Sequence, residues 1–306
     1  MRWVSLLLAY TLVGCATRLP PLDAPAVQLA NVPGFQQDEL QCGPAALASV
    51  LSASGVPATP EALKPDLFIP ARKGSLQVEL AAQARLRGRV PLLLETRETD
   101  LLAALNGGHP PLVLLNLGVR SHPIWHYAVL TGYDADAGYT LHYGKAEPVT
   151  LSRGIFLRQW DWAGRWALTL HAPEAIPAYA DAARWIAAAA PLQRSQPALA
   201  EAAYRAATVH WTEAALAWAA LGESRFAAGD AKTAAVHLRR AASLDPHDAA
   251  LANNLASVEL ARGCVTAARA ALQAVDWASA PPAVAAVLQE TQRELDTAGA
   301  DRCPAQ

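Results

Sequence analysis

Alanine-rich sequence from Pro177 onward repeats with a fixed period, and this repetition restricts the fold more than any other feature of the chain. Ala200, Ala234 and Ala268 are each 34 residues apart. The positions that follow them recur in the same register: Tyr204 and Ala207, Leu238 and Ala241, Leu272 and Val275. A period of this length predicts stacked helical units, each burying its apolar face against its neighbours.

The middle unit carries a recognisable signature. Its matching positions are Trp218, Leu221, Gly222, Ala234, Leu238, Ala241 and Pro246. They resemble the tetratricopeptide repeat, whereas the flanking units have Arg184 and Ala252 where the tryptophan would stand. The resemblance implies an all-α tetratricopeptide-repeat domain over residues 176–306, with a C-terminal capping helix from about Pro282 to Thr297. Its concave face would bind a partner protein or peptide. The alternative is an unrelated alanine-rich helical bundle.

The N-terminus predicts export. Arg2 precedes a short apolar segment from Trp3 to Val13, which is typical of a secretory signal rather than a membrane span. Leu12 to Cys15 resemble the lipobox of bacterial lipoproteins, which implies a signal peptide over residues 1–15 and acylation of Cys15. An ordinary signal peptide that contains a cysteine is the alternative. No Asp follows Cys15, so we expect a lipid-anchored protein on the periplasmic face of the outer membrane.

Residues 16–33 contain four prolines and are predicted to form an extended tether. Beyond the signal segment we expect no membrane-spanning helix. A formal net charge of −2 without basic runs argues against a nucleic-acid partner. We expect contacts with the membrane only through the lipid anchor.

Export places the remaining thiols in an oxidising compartment. Of the four cysteines, Cys42, Cys264 and Cys303 remain after lipidation of Cys15. The capping helix would run antiparallel to a helix starting near Thr266, which would bring Cys303 back to Cys264. A disulfide between these two would leave Cys42 as the free thiol.

Residues 34–172 have a different organisation. Two helical patterns follow the one that starts at Cys42, and then the period changes to that of strands. The expected strands are residues 90–95, 111–117, 126–134, 139–143, 148–152 and 165–170, with a short helix from about Thr99 to Leu105. Helices followed by an antiparallel sheet predict an α+β domain.

Cys42 stands at the start of a predicted helix, followed by Gly43 and Pro44. The positive end of the helix dipole would favour the thiolate. Gln36, six residues upstream, could donate a hydrogen bond beside the sulfur. A buried core cysteine is the simpler interpretation of such a residue taken alone.

His126 precedes a strand whose apolar residues predict burial in the core. A histidine at such a position usually has a structural role, yet a cysteine nucleophile needs an imidazole as general base and acid. The chain order of glutamine, cysteine and histidine is that of papain-type enzymes.

The segments around Gln36, Cys42 (CGPAALA), Gly74 (GSLQVELAAQARLRG) and His126 (HYAVLTGYD) together resemble the bacteriocin-processing, double-glycine peptidase family, a papain-like group of cysteine proteases. The resemblance implies Cys42 as nucleophile and His126 as general base and acid. It also implies an oxyanion hole made by the Gln36 amide and the Cys42 backbone N–H.

Two departures from the family stand out. Its second strand usually ends in an Asp-Pro pair whose carboxylate orients the imidazole, but the corresponding stretch here is Leu141 to Gly144. His142, Tyr143 or a distant carboxylate would take that place, or the third member is missing; we favour His142. The chain also has neither a transporter segment nor a phosphate-binding Gly-rich loop, so export-coupled leader removal is not implied.

We therefore expect a papain-like cysteine peptidase that hydrolyses peptide bonds, with repeats that recruit the substrate or a protein partner. The alternatives are an acyl or amide transferase and a catalytically silent envelope scaffold. We expect no cofactor and no metal site, because Pro123 interrupts the spacing of His122 and His126. The other histidines, including His109 and His171, are interpreted as surface or capping residues. Substrate, cleavage preference, repeat partner and oligomeric state are left open.

Overall fold

A computed structural model describes residues 22, 24–36, 41–72, 74–145 and 147–304. They form a mixed α/β fold with an antiparallel sheet and many helices. The strands of the described part are β1 (Val27–Gln28), β2 (Val90–Leu93), β3 (Leu112–Asn116), β4 (Trp125–Asp134), β5 (Gly138–His142), β6 (Val149–Leu151) and β7 (Ala167–His171). Their order across the sheet is β2-β7-β3-β4-β5-β6, with β1 paired to the far half of β4.

The sheet is covered on both faces. Alternate residues of β3 point to opposite sides, with Leu112 and Leu114 in one apolar cluster and Val113 and Leu115 in another. The first cluster includes side chains of α1 (Cys42–Ala53), α2 (Pro60–Leu67) and α3 (Gln77–Leu86). The second includes side chains of α4 (Glu98–Asn106) and α5 (Arg153–Asp161). Burial on both sides explains why these strands read as unbroken apolar runs.

Two elements depart from the sequence expectations. The expected tether over residues 16–33 is not extended away from the domain in its described part, because Val27 and Gln28 pair with Tyr133 and Gly132 of β4. β4 is long enough to offer this free edge beyond its pairing with β3. The other departure is α5, which occupies a stretch with no predicted element; its Phe156 and Trp160, four residues apart, are fully buried.

The rest of the chain is helical. The helices are α6 (Ala182–Ala189), α7 (Leu192–Ser195), α8 (Pro197–His210), α9 (Ala215–Ala227), α10 (Ala231–Leu244), α11 (Ala249–Ala261), α12 (Val265–Gln273) and α13 (Pro282–Thr297). Gly222 in α9 lies against Leu238 of α10, and a Cβ at this position would lie 2.8 Å from the Leu238 Cγ atom. The absent side chain lets these two helices approach closely.

The helical part continues directly from the edge of the sheet. Val90 and Leu92 of β2 share one apolar cluster with Trp185 of α6 and Leu192 of α7. The Arg85 guanidinium also donates a hydrogen bond to the Ala188 carbonyl at 3.4 Å. We call this region, where β2 and β7 meet α6, the junction.

A disulfide closes the C-terminal end. Cys264, at the N-terminal end of α12, is bonded to Cys303, with the two Cα atoms 4.2 Å apart. Arg302 N–H also donates to the Gly263 carbonyl at 2.9 Å. Among the described residues Cys42 is the free cysteine, and Cys15 lies outside them. No helix in the described ranges is both long and apolar enough to cross a bilayer.

Candidate active site

The first residue of α1 is Cys42, and nearly all of the following helix is buried. Its small apolar side chains pack under the sheet, and this packing fixes the N-terminal end of the helix at the mouth of a cavity of about 920 Å³. Cys42 is half-buried and faces that cavity. The other residues that line it are Arg72, Gly74, Ser75, Leu76, Gln77, Leu114, Pro123, Ile124, Trp125, His126, Tyr127, Tyr143, Gly144, Lys145 and Ala163.

The resting thiol is protonated. Burial raises the pKa of the Cys42 thiol, and this effect exceeds the opposing hydrogen bonds from the backbone N–H groups of Tyr127, Gly43 and Cys42 itself. The helix terminus does favour the thiolate, as the sequence suggested, but removal from water outweighs it. Cys42 therefore needs a base at the moment of reaction.

His126 is suited to that task. It is the second residue of β4 and lines the same cavity as Cys42. Burial lowers the pKa of His126 to about 4, although a hydrogen bond from the imidazole to the Tyr143 backbone acts in the opposite direction. The imidazole is therefore neutral at neutral pH and can accept a proton. Its Nε2 atom is buried and has no hydrogen-bond partner among the described residues.

Tyr127, the residue that follows His126, interacts with Cys42. The backbone N–H of Tyr127 donates to the Cys42 sulfur, and this N–H belongs to the peptide that follows His126. The Tyr127 hydroxyl donates in turn to the Ser75 carbonyl at 3.2 Å. Cys42 at the start of α1 and His126 at the start of β4 thus line one cavity.

Tyr143 contacts the histidine where the sequence favoured His142. The rings of His126 and Tyr143 lie 4.5 Å apart between centroids. His142 pairs with Val129 instead, and its Nε2 atom is 2.9 Å from the Val32 carbonyl. Val129 is three positions after His126 in β4, so the register of the strands keeps His142 away from the imidazole. His126 is therefore contacted by the ring and the backbone of Tyr143.

Gln36 is not brought to the site. Its side chain is exposed and does not line the cavity, and residues 37–40 between it and α1 lie outside the described part.

Ser75 occupies a position that the sequence did not suggest for it. Its hydroxyl is buried without a described partner, and a Cβ added at Gly43 would collide with the Ser75 side chain. A serine before a helix reads as a helix start, and only the tertiary structure shows it against α1.

The described residues offer no metal centre. No group of three histidine, cysteine or acidic side chains lies close enough together in that part of the chain. His122 is exposed, and its Nδ1 atom lies 3.1 Å from the Ser121 hydroxyl. Trp160 is fully buried and donates to the Trp166 carbonyl at 3.0 Å, which makes it a core residue.

His109 and His171 are not the surface or capping residues that the sequence suggested. Their rings lie 4.5 Å apart at the junction, and His171 is only 2% exposed. The spacing of 62 positions between them hides this pair from sequence reasoning. Strand β7 and the loop before β3 bring the two rings together.

No family model matches this chain, and no curated protein matches it. Solved structures with a detectable likeness include a double-glycine-motif protease from an AMS/PCAT transporter in complex with its leader peptide, and the peptidase domain of Streptococcus ComA, a bifunctional ABC transporter. Each is 20% identical over 47% of this chain, with a TM-score of 0.38, and the match covers 93% and 99% of the two domains respectively. At this similarity neither structure assigns a role to any residue here.

Proposed function

We propose that residues 34–172 form a papain-like cysteine peptidase in which Cys42 is the nucleophile and His126 the general base and acid. One observation carries the proposal: a thiol at a helix N-terminus, the free cysteine of the described residues, lines the same cavity as the His126 imidazole. A structural cysteine would be fully enclosed in the core, whereas Cys42 is accessible.

In the proposed reaction, the Cys42 proton passes to His126 as the sulfur bonds to the substrate carbonyl carbon. The carbonyl π electrons move to oxygen, and the backbone N–H groups at the start of α1 stabilise the resulting oxyanion. His126 then protonates the leaving amine as the C–N bond breaks, leaving a thioester on Cys42. Water, deprotonated by His126, hydrolyses the thioester and restores the thiol and the acid product.

The lowered pKa of His126 affects when the thiolate–imidazolium ion pair forms. A neutral thiol and a neutral imidazole mean that the ion pair forms with the substrate present rather than beforehand. The Tyr143 contacts would hold the imidazole in place as it becomes charged. Loss of an orienting carboxylate lowers the rate of such enzymes but leaves the mechanism intact.

The wider context of the proposal comes from the sequence. The lipobox at Cys15 supports a periplasmic, membrane-anchored protein, and the 34-residue period supports repeats that recruit a peptide substrate or a protein partner. The disulfide between Cys264 and Cys303 is consistent with an oxidising compartment. Palmitate labelling of the expressed protein, lost in a Cys15→Ser variant, would test the anchor.

An electrophilic peptide probe tests the catalytic proposal. The native protein should be labelled at Cys42 far faster than the urea-unfolded protein, and His126→Gln should remove most of that difference. The Cys42→Ala variant is the blank, since the other two described cysteines are paired. Equal labelling of native and unfolded protein would refute the catalytic assignment.

A non-catalytic scaffold is the second candidate. Its supporting observation is the absence, among the described residues lining the cavity, of a carboxylate that could orient His126. A strain carrying Cys42→Ala would then behave like the parent, whereas deletion of residues 176–306 would produce the null phenotype.

A further inference from the structure

The candidate active-site cavity has a one-sided charge. Its described lining contains two cationic side chains, Arg72 and Lys145, and no carboxylate. Arg72 ends a short 3-10 helix, Pro70–Arg72, on the α3 side of the cavity, and Lys145 follows β5 on the Tyr143 side. The two cations therefore come from different segments that border the opening.

These charges are not neutralised by nearby described groups. Both side chains are exposed, and neither has an ion-pair partner within 4.0 Å among the described residues. Glu147 is exposed and does not line the cavity. Most other arginines of the domain, in contrast, are paired: Arg87 with Asp66, Arg97 with Asp100, Arg153 with Glu98 and Arg165 with Asp161. Arg72 and Lys145 therefore keep their charge at the opening where a substrate would enter.

The same opening presents apolar surface. Ile124 and Trp125 are 61% and 53% exposed beside His126, although both side chains are large and hydrophobic. Exposed apolar surface in a cavity that also holds a thiol and an imidazole is typical of a binding site. A ligand that satisfies the whole lining would combine an apolar side chain with negative charge.

We propose that this site selects acidic peptides, with a carboxylate that meets Arg72 and Lys145 and a bulky apolar side chain that packs on Ile124 and Trp125. The inference rests on the proposed peptidase function, because it names the substrate class of that site. Rim cations of this kind act mainly on the association rate and are screened by salt. We expect acidic substrates to show a lower KM with little change in kcat.

The rate at which charged and neutral reagents alkylate Cys42 reports the charge around the thiol. This measurement does not depend on peptide cleavage. Iodoacetate and iodoacetamide react with a thiolate in the same way: sulfur displaces iodide and a C–S bond forms. Of the two reagents, only iodoacetate carries a negative charge. In the full-length protein at low ionic strength, we expect the ratio of the iodoacetate to the iodoacetamide rate constant to fall about fivefold when Arg72→Gln and Lys145→Gln are combined.

A matched control comes from the helical domain. Lys232 is exposed on α10 and far in sequence from the cavity, so Lys232→Gln removes one charge without touching the site. We expect it to leave the ratio unchanged, and we expect 0.5 M KCl to lower the parent ratio to that of the double variant. The full-length protein also contains Asp38 and Glu39, which precede Cys42 and lie outside the described residues. The measured ratio therefore includes the effect of their charges.

Matched peptides then test the substrate class. Two peptides that differ only by glutamate or glutamine beside an apolar residue near the cleaved bond should differ several-fold in KM, and the double variant should abolish the difference. An alkylation ratio that Arg72→Gln and Lys145→Gln leave unchanged would overturn the inference, whether or not any peptide is cleaved. Failure of the peptidase function would give a different result: the electrophilic peptide probe would label Cys42 no faster in the native than in the unfolded protein.

Discussion

The active-site cavity and the junction both hold a buried imidazole, and the two differ in what that imidazole meets. Burial lowers the pKa of His126 to about 4 and that of His171 to about 3. His126 faces a cavity with a thiol, and its Nε2 atom has no described partner. The Nε2 atom of His171 lies 2.8 Å from the Thr169 hydroxyl and 3.3 Å from that of Tyr179. The two rings thus share a lowered pKa but lie in different surroundings.

At the junction, everything around His171 favours a neutral ring. Its ring neighbours are His109, Tyr179 and Trp185, at centroid distances of 4.5, 6.0 and 6.1 Å. None of these is an anion, and the nearby Arg184 donates to the Tyr179 carbonyl. The junction histidine thus links β7 to the helical part as a neutral hydrogen-bonding group. A perturbed histidine marks a reactive site only when a reacting partner and an open cavity accompany it.

The largest expected effect is a difference between His126 and His171 variants in the rate of Cys42 acylation. His126→Gln should lower peptide turnover, or probe acylation of Cys42, by about a thousandfold or more, because a buried thiol with a raised pKa loses its base. His171→Gln should leave the acylation rate constant of the folded protein within about twofold. The check is pre-steady-state labelling of both variants, with circular dichroism to show that each is folded. A similar loss in both variants would contradict the distinction.

Stability should show the reverse pattern. His171→Ala removes a fully packed ring and leaves the Thr169 and Tyr179 hydroxyls with only their hydrogen bond to each other, which should lower the free energy of unfolding by about 3 kcal/mol. His247→Ala is the matched control, since His247 is exposed. Urea titrations followed by tryptophan fluorescence would measure both. A loss below about 1 kcal/mol for His171→Ala would show that the ring is not needed at the junction.

The pH dependence of stability follows from the direction of the shift. Because the folded protein holds His171 neutral, its contribution is fully present above the unfolded pKa of about 6.5, and it declines as the pH falls towards the folded pKa of about 3. Between pH 8 and pH 5 the linkage relation gives a loss of about 2 kcal/mol from this residue. Urea titrations at several pH values should show a smaller loss in His171→Gln than in the parent; identical slopes would argue against the neutral ring.

The smallest effect concerns Ser75. If its buried hydroxyl turns towards the oxyanion at the start of α1, Ser75→Ala should lower kcat about tenfold with little change in KM. Ser121→Ala, at an exposed serine in the loop before β4, provides the control. Steady-state kinetics with one peptide substrate would separate the two parameters. A change in KM alone would give Ser75 a packing role.

Much of the fold could be predicted because its signals are local. The strands β3, β4 and β7 are buried on both faces, so apolar runs mark them. The proline after Thr59 marks the start of α2, where the Thr59 hydroxyl accepts from Ala62 N–H at 3.3 Å. The boundaries of α13 follow from Pro282 and the turn after Thr297. The pairing of β1 with the free edge of β4 has no such signal, since two residues carry no period.

The candidate site could be predicted only in part. A cysteine before Gly-Pro and a histidine at a strand start are visible in the sequence, and both line the cavity. Ser75, Tyr143 and the exposed position of Gln36 depend on how loops pack against α1 and β4. The protonation state was also beyond sequence reasoning, because the desolvation that raises the pKa of Cys42 comes from residues distant along the chain.

The disulfide also sets a temporal order on maturation. Cys303 is 39 residues beyond its partner, so Cys264 is synthesised first and has no partner until Cys303 follows. During that interval Cys264 and Cys42 are both thiols, and a bond between them is a misfolded product that thiol exchange must undo. A chain truncated before residue 303 would keep this competition permanently, with Cys42, the proposed nucleophile, as one of the two competitors.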